Sequence, residues 1–538
     1  MISPVRSAGL IALALCGWLW ASPALARPAP PGKPGGTLIL TLREDPPEGF
    51  AIHETATIAG VWPAMPCYSN LVLFDPMEPV ERPETIVGEL AERWSWQDGY
   101  KNLVFFLRKN VRWHDGQPFT SRDVKFTFDV VREAADAPGR LRLNPRKVWY
   151  TNIAAIETPD PYTVVFHLKR PQPSFLLLLA ADYSPVYPAH VPPAELRMRC
   201  VGTGPFRLKE WRRGEFVEYV KNPSYFVPGR PYLDGLRYVV IADRGTRTAA
   251  LQAGRVDVSF PGEGRKSIVD QVRASVPGLR VSVIGQNVFD NLLLNTKRPP
   301  LDQVSVRRAL SLAVDRRAFT KAVHQGEGAI GAAMAPPPQG IWGLSERDLA
   351  GMAGYGTPEA DRAKAKELLA SAGFTPATPL RIEILTRAIA IYLDVASFVV
   401  GELKRIGVEA TLKQVDSAQW FPLLTRREYQ AAVNVTGLGL DDPDATFYEN
   451  YTCGSPRNYT DYCDAQVTAL IERQSQELDP GRRRELVREI QRLLERDAAR
   501  PILSWRLDNF VQAPYVRNLV PHQVEHNWGR MQEVWLDR

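Results

Sequence analysis

Arg381-Ile-Glu-Ile-Leu-Thr-Arg387 alternates apolar and polar residues, and the stretch from Ala390 to Arg405 that follows it carries a helical pattern closed at Gly407. Val408, Ala410 and Leu412 then resume the two-residue period, Gln419 to Arg427 reads as helix, and Tyr429 to Val435 is extended. Strand, helix, strand, helix, strand at this spacing predicts an α/β unit with parallel pairing and right-handed crossovers. In open parallel sheets, ligands sit beyond the carboxyl ends of the strands. Those ends are Thr386-Arg387 and Thr436-Gly-Leu-Gly-Leu-Asp441-Asp442. An arginine on one loop and adjacent carboxylates on another suit a small zwitterion. The plainer alternatives are a solvated surface charge for Arg387 and tight turns for the glycines.

Outward from this unit the patterning continues. Val306, Ala309, Leu310, Ala313 and Val314 share one helical face, and a further helix covers Ala360 to Ala372 before Gly373. Asp479-Pro480 starts a helix with an apolar stripe of Leu486, Val487, Ile490, Leu493 and Leu494. Toward the N-terminus, Thr37 to Leu42, Leu103 to Leu107, Thr163 to Leu168, Phe216 to Lys221 and Leu236 to Ile241 read as strands. A short helix opens at Thr120 and another at Thr246, the latter ended by Gly254. Ile502 to Trp505 and Asn509 to Val511 are expected as strands returning to an earlier sheet.

The whole chain has 538 residues, which is more than a single core organises, so several domains are expected. With 45% hydrophobic and 23% charged residues it is globular rather than disordered or coiled-coil. Its 66 Lys+Arg against 60 Asp+Glu are interspersed, so nucleic acid is not an expected partner. Arg6, the apolar run Ala8 to Ala21 and Ala24-Leu25-Ala26 form a secretory signal peptide (residues 1–26) cleaved after Ala26. Cys16 follows Leu15 rather than a small residue, which argues against lipid attachment. Export leaves Cys67, Cys200, Cys453 and Cys463, an even number suited to disulfides, with three pairings open. Cys453 and Cys463 flank a turn-rich loop that suits a staple, which leaves Cys67 with Cys200. Free thiols are the alternative.

Catalytic signatures are missing. The sequence has no G-x-S-x-G elbow, H-E-x-x-H pair or phosphate loop. The one G-x-G-x-x-G, Gly326 to Gly331, runs into Pro336-Pro-Pro338 instead of a helix and reads as a loop. The histidines are scattered, with no metal spacing. The expectation is a non-enzyme with no cofactor and no metal.

Several longer runs are more specific. Val104-Phe-Phe-Leu-Arg-Lys-Asn-Val-Arg-Trp-His-Asp-Gly-Gln-Pro-Phe-Thr-Ser-Arg-Asp-Val124, Gly202-Thr-Gly-Pro-Phe-Arg-Leu208 with Lys221-Asn-Pro-Ser-Tyr225, and Asn295-Thr-Lys-Arg-Pro-Pro-Leu-Asp302 through Arg316 occur in that order. Together they resemble the extracellular solute-binding proteins of the peptide/nickel/opine family, the receptors of bacterial ABC importers. The resemblance implies a two-lobed, type II periplasmic binding protein fold with an extra domain inserted in the first lobe. It places lobe one at 27–70, 186–289 and 506–538, the insertion at 71–185 and lobe two at 290–505. It further implies a periplasmic, monomeric receptor that closes on a peptide or peptide-like ligand and delivers it to an inner-membrane ABC permease. The loop between Cys453 and Cys463 resembles a disulfide loop of dipeptide-type members.

One departure bears on the ligand. Peptide-binding members hold the ligand amine with an aspartate three positions before the acidic-Pro pair; here the pair is Asp442-Pro443 and the matching residue is Gly439. The expected ligand contacts are Arg387 for a carboxylate, Asp441 or Asp442 for a cationic group, and Asn434 and Thr436 for hydrogen bonds. His53 and Glu54, beyond the first strand, are expected to face the same cleft. A nickel or metal-chelate receptor using His53 is the alternative within the family. An exported hydrolase or a periplasmic chaperone is the alternative outside it.

Overall fold

The computed structural model describes residues 32–538, so the signal-peptide and Cys16 readings lie outside the described residues. The second-half unit forms as the periodicity predicts. Arg381–Arg387 pairs in parallel with Glu409–Val415 on one side and with Ala431–Gly437 on the other. Helices Ala390–Arg405 and Ser417–Arg426 make the connections. Val395, Val399 and Leu403 from the first helix pack on Ile382, Ile384 and Val433 in an apolar core. These strands belong to a six-stranded sheet, which two long antiparallel strands, Arg280–Leu294 and Ile502–Gln512, extend.

A second sheet of four strands holds Thr37–Leu42 against Gly235–Val240 in parallel, then Phe216–Lys221 and Phe206–Arg212 antiparallel. A third, wholly antiparallel, orders Ala91–Gln97, Asn102–Leu107, Thr163–Leu168 and Ile153–Asp160. Helix Ser121–Val131 lies on this sheet, started by Thr120, whose amide donates to Asp123 Oδ2 at 2.8 Å. Its Phe128 ring meets Phe166 at 5.2 Å. The second and third sheets share one apolar core, in which Leu40 and Tyr238 are continuous with Phe105 and Phe166. The C-terminal residues Val516, Trp528, Met531 and Leu536 pack into that same core. The architecture is therefore two α/β lobes, the first carrying an inserted sheet.

The long strands cross from lobe to lobe as a two-stranded ribbon. Pairing runs from Arg280↔Gln512 to Asn291↔Ile502, so the two strands expected at the C-terminus are one, Ile502–Gln512. Near its middle Gly285 pairs with Leu507 and Phe289 with Trp505, which leaves Gln286, Asn287 and Val288 bulged opposite Arg506. On one side of the bulge Val511 packs with Leu251 and Val269; on the other Leu292, Leu294 and Leu503 join the core of the parallel unit.

Two disulfides are present, Cys67–Cys200 with S–S 2.09 Å and Cys453–Cys463 with S–S 2.07 Å. Gly326–Gly331 contributes only the short strand Gly328–Ala329, paired with Arg506 and Trp505, and no dinucleotide-type helix follows it. Among the described residues no helix is long and apolar enough to cross a membrane.

Candidate functional site

Between the lobes lies a cleft, with about 660 Å³ of space between atoms counting its opening to solvent, bordered by both lobes and by Val288 and Arg506 at the ribbon bulge. Arg387 ends its strand here, as the strand-end argument expects, with its side chain only 1% exposed. Its Nη1 donates to Tyr392 Oη at 3.1 Å, and its Nη2 donates to Ser417 Oγ at 2.5 Å and to Glu44 Oε1 at 2.9 Å. The rings of Tyr392 and Phe421 lie 5.0 and 5.3 Å from the guanidinium. Arg387 Nε has no partner among the described residues.

Glu44 follows the first strand of lobe one, so its pair with Arg387 spans the lobes. Burial alone would raise the Glu44 carboxyl; Arg387, Arg43 and the Ser417 hydroxyl outweigh it and hold it below the ordinary range. The other cleft cations are also held from behind. Arg43 Nη1 reaches Glu263 at 3.3 Å, Arg457 Nη1 reaches Glu449 at 2.8 Å, and Arg506 is paired with Asp290. A cleft built this way presents positive charge that is already oriented, which suits an anionic ligand group.

Asn434 borders the cleft, and its Nδ2 donates to Thr436 Oγ1 at 2.9 Å. Thr436 itself is turned into the sheet, where Asn291 Nδ2 also donates to its hydroxyl at 2.9 Å. Thr436 therefore orients Asn434 rather than bordering the cleft.

The remaining expected contacts stand elsewhere. Asp442 caps helix Pro443–Tyr451, accepting from Asp444 N at 2.8 Å, and is clamped by Arg483 at 2.7 and 2.9 Å. Asp441 lies outside the cleft lining, beside Asp442 and the Ile341 backbone, and burial followed by the Asp442 charge pushes its carboxyl up to about 7. Its neighbours on the chain start a helix, and the capping requirement fixes where both carboxylates point. His53 and Glu54 require the same correction. His53 Nε2 bonds Pro185 O at 2.8 Å, its ring meets Tyr187 at 4.8 Å, and burial drops its pKa to about 4. Glu54 is paired with Arg197 at 2.7 Å and accepts from Arg142 N at 2.7 Å. Both belong to the interior of lobe one.

Gly439 has a packing reason. A Cβ there would lie 2.6 Å from Trp149 Cη2 and 3.2 Å from Tyr183 Cδ2, so the indole occupies the space where an aspartate would begin. Arg146 stacks 3.1 Å from the Tyr183 ring centre and pairs with Glu449 at 3.3 Å, which holds this aromatic wall in place. Gly439→Asp is expected to cost about 1–3 kcal/mol from overpacking. Thermal unfolding measures it, and an unchanged melting temperature would contradict the packing account.

Sequence reasoning missed Glu525, His526 and Arg43, all of which border the cleft. Glu525 and His526 sit in a C-terminal segment without helix or strand periodicity. His526 meets Tyr183 edge-on at 4.6 Å, and burial, with Arg146 and Arg457 nearby, keeps it well below the ordinary imidazole range. Among the described residues no group of three metal-ligating side chains is present.

Two α/β lobes joined by a ribbon around a charged cleft define a type II solute-binding protein. Residues 85–458 match the family described as bacterial extracellular solute-binding proteins, family 5 Middle. The chain belongs to that family. It is 26% identical over 497 residues to the dipeptide-binding protein of Escherichia coli K12, covering 86% of this chain and 88% of that one. It is also 26% identical over 454 residues to di/tripeptide-binding protein 1 of Pseudomonas aeruginosa, covering 79% and 81%. The fold superposes on DppA of Helicobacter pylori in complex with the peptide STSA, with TM-score 0.81, 23% identity and coverage of 94% and 99%. It also superposes on AgaA of A. tumefaciens R10 in complex with agropinic acid, with TM-score 0.80, 25% identity and coverage of 94% and 99%.

Proposed function

We propose that this chain is the periplasmic, monomeric receptor of an ABC importer and that it holds a peptide or peptide-like amino-acid derivative between its lobes for delivery to an inner-membrane permease. The observation that carries this reading is the interlobe cleft, with Arg387 at a strand end and an aromatic shelf of Tyr392 and Phe421 beside it. The relatives named for di- and tripeptide binding support it. On this reading the lobes divide near 289/290 and 505/506, positions that lie in the strands Arg280–Leu294 and Ile502–Gln512. Closure needs a ligand that interacts better with the closed arrangement than with the open one.

On this reading a ligand carboxylate takes its place at Arg387 beside Glu44. Arg387→Ala is expected to weaken ligand binding by about 2–5 kcal/mol, because a buried charge-assisted contact is lost. Calorimetry measures it, and an unchanged affinity removes Arg387 from the site. The decisive identification is mass spectrometry of small molecules released when the purified protein is denatured. A peptide or amino-acid conjugate supports the reading, while turnover of added peptides without retention would overturn it.

A further inference from the structure

Glu525 stands apart from every other charge at the cleft. Arg43, Arg387, Arg457 and Arg506 each have a carboxylate partner. Glu525 borders the same space, yet no described residue donates a hydrogen bond to it or forms an ion pair with it. Arg43 and Arg506 are the cations whose charge acts on it, but Arg43 Nε and Nη1 face Glu44 and Glu263, and Arg506 Nε and Nη2 face Asp290. Asp508 and Glu263, the nearby anions, are also occupied. Asp508 accepts from Gly262 N and Gly264 N at 2.9 and 2.7 Å, and Glu263 is taken by Arg43 and Arg247.

The surrounding backbone is shaped to admit the carboxylate. A Cβ at Gly262 would lie 2.5 Å from Glu525 Oε2, and one at Gly437 would lie 3.5 Å from Oε1. Gly262 has φ +78°, so its lack of a side chain serves both conformation and space. A partly buried carboxylate with no protein donor is costly to folding unless water or a ligand supplies the partner. At the position where relatives with an amine anchor are expected to carry aspartate, Trp149 and Tyr183 leave no room.

We propose that Glu525 anchors a cationic amino group of the ligand from lobe one, in place of the aspartate that Gly439 replaces. The inference rests on the receptor reading above and assigns polarity within it: ligand ammonium at Glu525, ligand carboxylate at Arg387. Burial pushes the Glu525 carboxyl up to about 7, with Asp508 and Glu263 adding to the rise and Arg43 and Arg506 opposing it. An ammonium selects the ionised form, so affinity for an amine-bearing ligand falls as pH drops below about 7.

The test uses di- and tripeptides of alanine and glutamate with free N-termini, and the same peptides N-acetylated, titrated into the ligand-stripped full chain. The free-amine set is expected to bind, the acetylated set to bind more weakly, and Glu525→Gln to weaken the free-amine set by about 30-fold or more. The pH slope below 7 disappears in Glu525→Gln, and Glu525→Asp retains part of the affinity and the slope. Glu525→Gln removes an unpaired charge, so it is expected to unfold no earlier than the parent, which separates binding loss from misfolding. Equal affinity of parent and Glu525→Gln, or equal affinity for the two peptide sets, overturns the role of Glu525 and leaves the receptor reading standing. No binding by either set overturns the peptide-receptor reading, and this inference with it.

Discussion

Arg530→Met is expected to lower the unfolding free energy by about 3–5 kcal/mol, because it strands two buried carboxylates. Arg530 is fully buried, with Nη1 2.8 Å from Asp182 Oδ1, Nε 3.3 Å from Glu89 Oε1, and Nη2 donating to Asn70 Oδ1 at 2.7 Å. Asn70 and Glu89 precede the sheet that runs from Ala91 to Leu168 and Asp182 follows it, so one C-terminal side chain ties the chain on both flanks of that sheet. Burial already pushes the Asp182 carboxyl up to about 7 with Arg530 beside it. A carboxyl raised in the folded state binds its proton more tightly there than in the unfolded chain. Its contribution is therefore present at low pH and lost as pH rises through about 7. The deficit of Arg530→Met should accordingly be larger at pH 8 than at pH 5. Urea denaturation at the two values measures it; a loss below about 1 kcal/mol at pH 8 would show that the carboxylates find other partners.

Removing the Cys67–Cys200 bridge is the second large effect. The bond joins residues 133 apart, on either side of the inserted sheet. Gly204 N donates to Cys67 O at 2.8 Å, and a Cβ at Gly202 would lie 1.8 Å from that same oxygen, so the two chain segments touch at the neck of the insertion. A bridge closing so long a loop withholds much conformational freedom from the unfolded chain, and the double variant Cys67→Ala/Cys200→Ala is expected to lose about 2–5 kcal/mol. The ten-residue loop of Cys453–Cys463 withholds less, so its removal should cost less. Denaturation of both double variants gives the comparison, and the reverse order would refute the loop-length argument.

How much of this was legible in the sequence depends on the range of the interaction. The strands Thr37–Leu42 and Arg381–Arg387 and the helix Ala390–Arg405 follow from local period and caps, and they lie where the pattern puts them. The antiparallel ribbon was not legible, since the pairing of Arg280 with Gln512 leaves no mark in either segment. The same divide runs through the cleft. Arg387 was legible because a strand end determines which way the chain opens. Asp441 and Asp442 were misplaced because capping of Pro443–Tyr451 and the Arg483 clamp outcompete any role facing the cleft. His53 and Glu54 were misplaced because their partners, Pro185 and Arg197, lie more than a hundred residues away. Glu525 was invisible for the converse reason, an irregular segment whose position comes only from the core contacts of Trp528 and Met531 around it.

The ribbon has a mechanical consequence. Two strands laddered to each other from Arg280↔Gln512 to Asn291↔Ile502 behave as one beam, so the two connections between the lobes bend together rather than separately. The ladder is interrupted at the bulge, where Gln286, Asn287 and Val288 have no partner on Ile502–Gln512, although Asn287 and Val288 stay tied to Gln523, Leu438 and Gly437. Val288 and Arg506 sit at that bulge and also border the cleft, so a molecule held there would lie against the connection between the lobes as well as against the lobes themselves.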